Sequence, residues 1–166
     1  MASSYTTKTD LFPKMIQEIK NIDGTGVEVG VFKGENAWLA GIHEYGCDIP
    51  VTEKMRTYLH GRGLHLRKST THIHIPERAF LRTGYDTNRA EVTKKAAMLL
   101  ADVASARMTA LACSQAVGME LASRIKETAI GMEPANHPFT VASKGSSTPL
   151  VQTGDMISSI DWRACK

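Results

Sequence analysis

The sequence predicts an α+β fold: a small, mainly antiparallel sheet packed by helices, one of them very long. Three observations support this fold class. Short segments of alternating apolar residues are separated by segments with helical spacing, and one helical pattern continues from residue 87 to 130. The 166 residues suit a single domain over 1–166, which can bury roughly 70% of its unfolded surface. Strands separated by helices favour one small sheet with helices on it.

The first elements are a tail, a helix and a strand. Residues 1–8 are expected to form a flexible tail, after which Thr9 and Asp10 supply capping oxygens. Apolar residues at helical spacing predict a helix over 11–22. Alternation of apolar residues then predicts a strand over 27–32.

A second helix is predicted over 35–45, with Gly46 at the usual stop position. Its apolar side chains share one face and are expected to contact the core: Trp38, Leu39, Ile42 and Tyr45. Its aromatic residues, with Trp162, are interpreted as core or sheet-covering side chains rather than as a ligand site.

The segment 47–71 predicts an inserted arm or loop, because it contains a proline, two glycines and much of the basic charge. One possible arrangement is a projecting hairpin that pairs part of 51–60 with 65–75. Residues 72–75 alternate histidine with isoleucine up to Pro76, which predicts a strand with the isoleucines facing the core.

The long helical pattern from 87 to 130 contains no proline and ends at Gly131. Unbroken, it would be ~65 Å long, more than a domain of this size normally spans. A break over 105–109 would fold it into a helical hairpin, whereas an unbroken alanine-rich rod would pack against another subunit. A Pro-, Ser- and Gly-rich loop over 133–148 and a last strand over 160–164 complete the chain.

Composition excludes several classes of protein. Three widely spaced cysteines argue against a disulfide scaffold and favour a reducing cytoplasm. The sequence shows neither a secretion signal nor a run of 18 apolar residues, so we expect a soluble protein that does not contact a membrane.

Positive charge is concentrated in one segment. From Lys54 to Arg82 there are seven basic residues and one acid, a local +6, and subtracting 6 from the net +3 leaves −3 for the rest of the chain. Such a segment can bind nucleic acid or an acidic protein surface. It has little aromatic interleaving, so a solvated loop is the alternative interpretation.

No residue pattern predicts a metal site, a cofactor site or an enzyme. His43 and Cys47 are four residues apart, but Gly46 is expected to end the helix between them, and no second ligand pair follows. His72 and His74 are explained by strand alternation.

Catalytic and phosphate-binding motifs are also missing. There is no nucleophile motif, and adjacent His43 and Glu44 point about 100° apart on a helix. The glycine-rich residues 23–26 precede a strand, whereas a phosphate loop follows one, so we interpret them as a turn.

Two groups of segments resemble the virion-morphogenesis family of tailed bacteriophages, which includes neck and minor tail components. The first is I-H-E-Y-G at 42–46 with I-P-E-R-A-F-L-R at 75–82. The second comprises P-A-N at 134–136, Thr140 and K-G-S-S-T-P-L-V-Q-T-G-D-M at 144–156, and it ends in Ser159-Ile160. The order and separations match the family over 27–163. The motif residues that the resemblance marks as fold-defining are Glu44, Tyr45, Gly46, Pro76, Arg78, Phe80, Leu81, Pro149, Leu150, Thr153, Gly154, Ser159 and Ile160.

The resemblance implies a structural neck protein located in the virion. It would assemble as a ring, expected to hold six copies, between the head connector and the upper end of the tail. Two departures from the family pattern stand out: the arm at 47–71, and Ala79 where a proline is common. The basic residues of the arm and its flank are the candidate contacts to a neighbouring subunit, a partner protein or packaged DNA: Lys54, Arg56, Arg62, Arg67, Lys68 and Arg82.

Overall fold

A computed structural model describes residues 10–165 and confirms the α+β class. The tail predicted over 1–8, and Thr9, lie outside the described residues. Within these residues there are seven helices and four strands. In chain order they are α1 (Phe12–Ile22), β1 (Gly26–Gly30), α2 (Gly34–Tyr45), β2 (Cys47–Pro50), α3 (Glu53–Gly61), β3 (His72–Ile75), α4 (Phe80–Ala104), α5 (Ala110–Ile130), α6 (Pro138–Lys144), α7 (Asp155–Ser158) and β4 (Asp161–Cys165).

The long helical pattern forms the hairpin of α4 and α5, with the break over 105–109 that was one of the two predicted alternatives. Ala106 has a φ of 55°, which reverses the chain direction there. The two helices run antiparallel, and they are joined by an ion pair in which Nζ of Lys95 lies 2.6 Å from a carboxylate oxygen of Glu120. Closer to the other end, Gly84 allows Ile125 to approach the backbone of α4.

The strands form two separate antiparallel pairs, so the prediction of one small sheet was wrong. β1 pairs with β4, with Val29 opposite Trp162, and both strands pack on α5. β2 pairs with β3, with Ile49 opposite Ile73. In β3 the isoleucines are half-buried and the histidines exposed, so the alternation is as predicted, but the isoleucines do not belong to the core cluster. The second pair closes the base of the arm, because it joins the two ends of that segment.

The arm is not the predicted hairpin of 51–60 with 65–75. Its centre is the helix α3, in which the Thr52 hydroxyl caps the first turn by accepting from the Met55 amide at 3.2 Å. The loop predicted over 133–148 likewise contains α6. Both helices have fewer than ten residues, too short for apolar periodicity to reveal them.

The core lies between the helical hairpin, α2 and the C-terminal segment. Phe80, at the start of α4, and Ile160, just before β4, are its most enclosed large side chains, at 0% and 1% exposed. Trp162 packs on Gly118 of α5, where an added Cβ would lie 2.5 Å from the indole. The buried cluster consists of Ala40, Phe80, Val92, Leu121, Ile125, Ala129, Leu150, Met156, Ile157 and Ile160.

The prediction that Trp38 and Tyr45 cover the core was wrong. Trp38 is 71% exposed and Tyr45 is 69% exposed, while the buried residues of α2 are Ala40 and Glu44. Trp162 is partly buried against α5, in agreement with its predicted sheet-covering role.

Candidate functional site

The end of α2 and the start of α4 are joined by the side chain of Glu44. This carboxylate is 3% exposed and accepts hydrogen bonds from the amides of Leu81 at 2.9 Å and Arg82 at 3.1 Å. These amides belong to the first turn of α4, where no intrahelical acceptor exists. Ala79 precedes the helix and has no side-chain acceptor. Glu44 therefore supplies the cap from another helix.

Arg82 binds the same carboxylate. Its Nε lies 2.9 Å from Glu44 Oε1, and its Nη2 donates to the carbonyl of Glu44 at 2.8 Å and to Glu77 Oε1 at 2.6 Å. The guanidinium also lies over the ring of Tyr45, 5.0 Å from its centre. Three of the five N–H groups of Arg82, a predicted partner contact, are used within the chain.

Gly46 allows the backbone at the end of α2 to lie directly against the backbone of residues 75–77. Its φ is 72°, and an added Cβ would lie 3.0 Å from both the Ile75 carbonyl oxygen and the Glu77 amide nitrogen. Beside it, the Arg78 amide donates to the carbonyl of His43 at 2.7 Å. The residues of the E-Y-G and P-E-R-A-F-L motifs are thus in direct contact, although the arm separates them in sequence.

Arg78 connects these motifs to the second motif group. Its side chain is 4% exposed, and its Nε donates to the carbonyl of Pro134 at 2.9 Å. Its Nη2 lies 3.3 Å from Oδ1 of Asn136. Burial lowers the pKa of the Arg78 guanidinium, and the nearby Glu133 carboxylate partly opposes that shift. Arginine side chains are charged in proteins at neutral pH, so Arg78 keeps its positive charge.

The P-L-x-x-T-G segment is held by Lys144 and anchored in the core. Lys144 Nζ donates to the carbonyls of Thr148 at 2.6 Å and Pro149 at 3.0 Å. Leu150 is 5% exposed within the core cluster. Gly154 has a φ of 88°, a conformation that other residues disfavour, and it starts α7.

The hydroxyl of Thr153 contacts the first residue of α7, whose N-cap residue Gly154 has no side chain. It accepts from the Asp155 amide at 3.4 Å and donates to the Asp155 carboxylate at 2.7 Å. Further along, Ser159 Oγ donates to the Met156 carbonyl at 2.7 Å. These polar contacts are local, so we assign them to the fold rather than to ligand binding.

His43 lies at the wall of a groove between the arm, β3 and the segment from 135 to 140. Burial lowers its pKa, with smaller contributions from the positive charges of Arg78 and Lys144, so the ring is neutral at pH 7. Its Nδ1 and the Nδ2 of Asn136 are buried without a hydrogen-bond partner in the described part of the chain. Leaving such an atom unpaired costs about 1–3 kcal/mol, so each one is a candidate ligand contact.

The groove has a volume of about 710 Å³ and lies between the arm, β3 and the segment from 135 to 140. His43, Arg78, Asn136 and His137 contribute polar groups to its lining. The apolar side chains of the lining are Leu59, Leu64, Leu66, Ile73, Ile75, Pro76, Ala135 and Phe139.

The predicted partner contacts of the arm divide into two groups. Arg56 holds the arm together, since its guanidinium donates to the carbonyls of Leu66, Arg67 and Thr70 at 2.9–3.3 Å. The other four side chains are exposed, and no ion pair joins them to an acid of residues 10–165: Lys54, Arg62, Arg67 and Lys68.

No metal centre is assembled from the described residues. His43 is the last-turn residue of α2 that faces the groove, and Cys47 lies beyond Gly46 in β2, as predicted. Within 10–165 no group of three or more histidine, cysteine or carboxylate side chains is placed to hold a metal ion. Burial raises the pKa of the Cys113 thiol, which keeps it protonated. Residues 23–26 form the predicted turn that leads into β1.

Sequence reasoning missed two capping contacts across the fold. Glu18 of α1 accepts from the Ala110 amide at 2.7 Å and so caps α5 from a distant helix. The cap provided by Glu44 is of the same kind. For α4 the available signal was an acidic residue within an apolar helical pattern, combined with a helix start that lacks its own side-chain cap. The start of α5 gave no such signal, because the Thr109 hydroxyl already accepts from the Ala112 amide at 3.2 Å.

Comparisons with known proteins give no match to a family model, to a curated protein or to a solved structure. Across residues 10–165 there is also no helix with the length and apolar character needed to cross a membrane.

Proposed function

We propose that the chain is a non-enzymatic structural subunit of the neck of a tailed bacteriophage. It would form a ring, expected to hold six copies, that joins the head connector to the tail. One observation carries the proposal. Motif residues of the phage resemblance contact one another across the fold: Glu44 caps α4, and Arg78 binds Pro134 and Asn136. Residues arranged in this way stabilise the subunit, which supports a structural role.

The surface of the helical hairpin also supports a role in assembly. Met98 of α4 and Leu111 and Met119 of α5 are each more than 60% exposed. Exposed large apolar side chains are common at surfaces that pack against other proteins. In a neck ring, the hairpin would provide such surfaces for an adjacent copy or for the neighbouring connector and tail proteins.

The proposal is tested in assembled particles. Mass spectrometry of purified virions is expected to detect the chain in a fixed ratio to other neck proteins, and cryo-electron microscopy should place it at the head–tail junction. Removing its gene should leave filled heads and separate tails, and restoring the gene should rejoin them. Absence of the chain from virions would contradict the proposal.

The second candidate is a small cytoplasmic nucleic-acid-binding protein that uses the basic segment 54–82. It is favoured by the exposed cations of the arm, Lys54, Arg62, Arg67 and Lys68. Four phosphate contacts would give DNA affinity a salt slope of about −3.6 on logarithmic axes. A variant with Lys54→Gln and Lys68→Gln should roughly halve that slope, whereas the control Lys20→Gln with Lys94→Gln should not. A neck subunit should instead bind free DNA weakly in both variants.

A further inference from the structure

The groove beside His43 has a lining that selects for one kind of ligand. Its walls are the half-buried apolar side chains of the arm, β3 and α6, including Leu59, Leu66 and Phe139. Its fourteen lining residues include an arginine and three histidines but neither aspartate nor glutamate. Its volume of about 710 Å³ is within the range of sites that enclose small ligands or side chains. The groove is therefore complementary to a carboxylate adjacent to a large apolar side chain.

Three enclosed groups beside the groove have unused hydrogen-bonding capacity. Arg78 uses two of its five N–H groups, on Pro134 and Asn136, within the described residues. Nδ2 of Asn136 and Nδ1 of His43 have no partner there. Arginine and amide N–H groups are good donors to carboxylate oxygens, and the ring nitrogen donates when it carries the proton.

The chain itself contains a complementary segment at the start of α1. Leu11 and Phe12 are 48% and 64% exposed, and Asp10 immediately precedes them and is exposed. Asp10 Oδ1 accepts from the Phe12 amide at 3.0 Å, which leaves the second carboxylate oxygen for another donor. The segment projects at the beginning of a helix, so another molecule can reach it.

The groove of the same chain is too far away to bind this segment. Glu18 of α1 binds the amide of Ala110, at the turn of the helical hairpin, whereas Arg78 lies beside the opposite end of α4. The 25 residues of α4 span roughly 36 Å. Phe12 lies about 9 Å along α1 from Glu18, which leaves a gap of roughly 27 Å even if α1 runs towards Arg78. Only a second copy can place its Asp10 in the groove.

We propose that the start of α1 in one copy docks into the groove of an adjacent copy. The carboxylate of Asp10 binds Arg78 and Asn136, and Phe12 packs against the apolar walls. Because the two surfaces lie at opposite ends of the hairpin, the contact is head-to-tail, which closes into a ring when the rotation between copies permits. The inference rests on the proposed function for the expectation of a closed ring, but the contact can be tested without virions.

Photocrosslinking tests the contact directly. Phe12 is replaced by the photoreactive benzoylphenylalanine in the full chain, and isotope-labelled and unlabelled protein are mixed so that crosslinks between copies are identified by mass. Crosslinks between copies are expected to map to 59–66, 73–76 or 135–140. The same probe at Met119, which is 62% exposed on α5, is the matched control. Crosslinks from position 12 that map elsewhere, or none between copies, would overturn the inference.

Charge variants provide the second test, by sedimentation of the purified chain. Asn136→Asp and Asp10→Lys should each weaken self-association at least tenfold. In a mixture of Asn136→Asp with the wild type, the unaltered α1 of the variant should still bind the groove of the wild type. The control Asp86→Lys changes an exposed acid outside both surfaces. Unchanged association in Asn136→Asp would overturn the inference even if virions contain the chain. Conversely, crosslinks in the groove with no chain in virions would contradict only the proposed function.

Discussion

Glu44 and Arg82 form an ion pair in which the acid is enclosed and the cation is not. Their side chains are 4% and 51% exposed, and Nε of Arg82 lies 2.9 Å from Oε1 of Glu44. A pair open to solvent on one side gains little from Coulomb attraction alone. The enclosed carboxylate also accepts two amides of α4, which have no other acceptor in the first turn. The main role of the pair is therefore to fix α4 on the end of α2.

Replacing Glu44 should destabilise the protein strongly. Glu44→Ala leaves the amides of Leu81 and Arg82 without an acceptor in a buried position, at an expected cost of about 2–4 kcal/mol in the free energy of unfolding. Urea denaturation at neutral pH measures this change. Glu77→Ala is the matched control, because Glu77 binds the same Arg82 at the surface and should cost less than about 1 kcal/mol. Equal losses for the two variants would contradict the capping role.

His43 should make stability depend on pH near neutrality. Its pKa is lowered in the folded state by burial and by Arg78 and Lys144, while the unfolded chain has the ordinary value of 6.5. Below pH 6.5 the unfolded state therefore binds the proton more readily than the folded state. The free energy of unfolding decreases as the pH is lowered from 6.5 and stops decreasing below the folded-state pKa. The slope is at most about 1.4 kcal/mol per pH unit.

The measurement is the free energy of unfolding at several pH values from about 7.5 to about 5.5, above the range in which carboxylates titrate. His43→Gln should flatten the dependence, whatever its effect on stability at pH 7.5. His72→Gln removes an exposed histidine and should retain the slope. A slope that survives in His43→Gln would show that another group is responsible.

The sequence was sufficient to predict the elements whose own periodicity is strong. The apolar spacing of α1 and of the α4–α5 pattern identified the helices. Gly154 and Leu150, which the resemblance marks as fold-defining, occupy an αL position and the core. The helix α3 was missed because its nine residues have no enclosed apolar face, although Thr52 is a good N-cap residue. Its cap was a usable local signal.

The pairing of strands and the burial of α2 could not be predicted from local patterns. Alternation identifies a strand but not its partner, so β1 with β4 and β2 with β3 were merged into one sheet. Trp38 and Tyr45 were expected inside because apolar residues usually are, yet Glu44 is buried instead. Glu44 is buried because the first amides of α4 need a hydrogen-bond acceptor that Ala79 does not provide. Only the tertiary fold brings Glu44 to these amides, so no local pattern could reveal it.

Gly118 should be intolerant of a side chain. A Cβ there would lie 2.5 Å from Cδ2 of Trp162, a rigid ring held between α5 and β4, so Gly118→Ala is expected to cost about 1–3 kcal/mol. Gly41→Ala is the matched control within α2, where no atom lies within 4 Å of the added Cβ. It should stabilise the helix by up to about 1 kcal/mol. Thermal unfolding distinguishes the two, and a Gly118→Ala variant as stable as Gly41→Ala would contradict the close packing.

Lys144 should control the local stability of the P-L-x-x-T-G segment. Lys144→Met keeps most of the aliphatic stem but removes the donor to the carbonyls of Thr148 and Pro149, at an expected cost of about 1–2 kcal/mol. The Val151 amide donates to the same Thr148 carbonyl at 3.3 Å, so its hydrogen exchange should accelerate. Lys94→Met, on the exposed face of α4, should change neither quantity. If Val151 exchanges at the same rate in Lys144→Met and the wild type, the segment is held by the core contact of Leu150 alone, and its lysine does not define the fold.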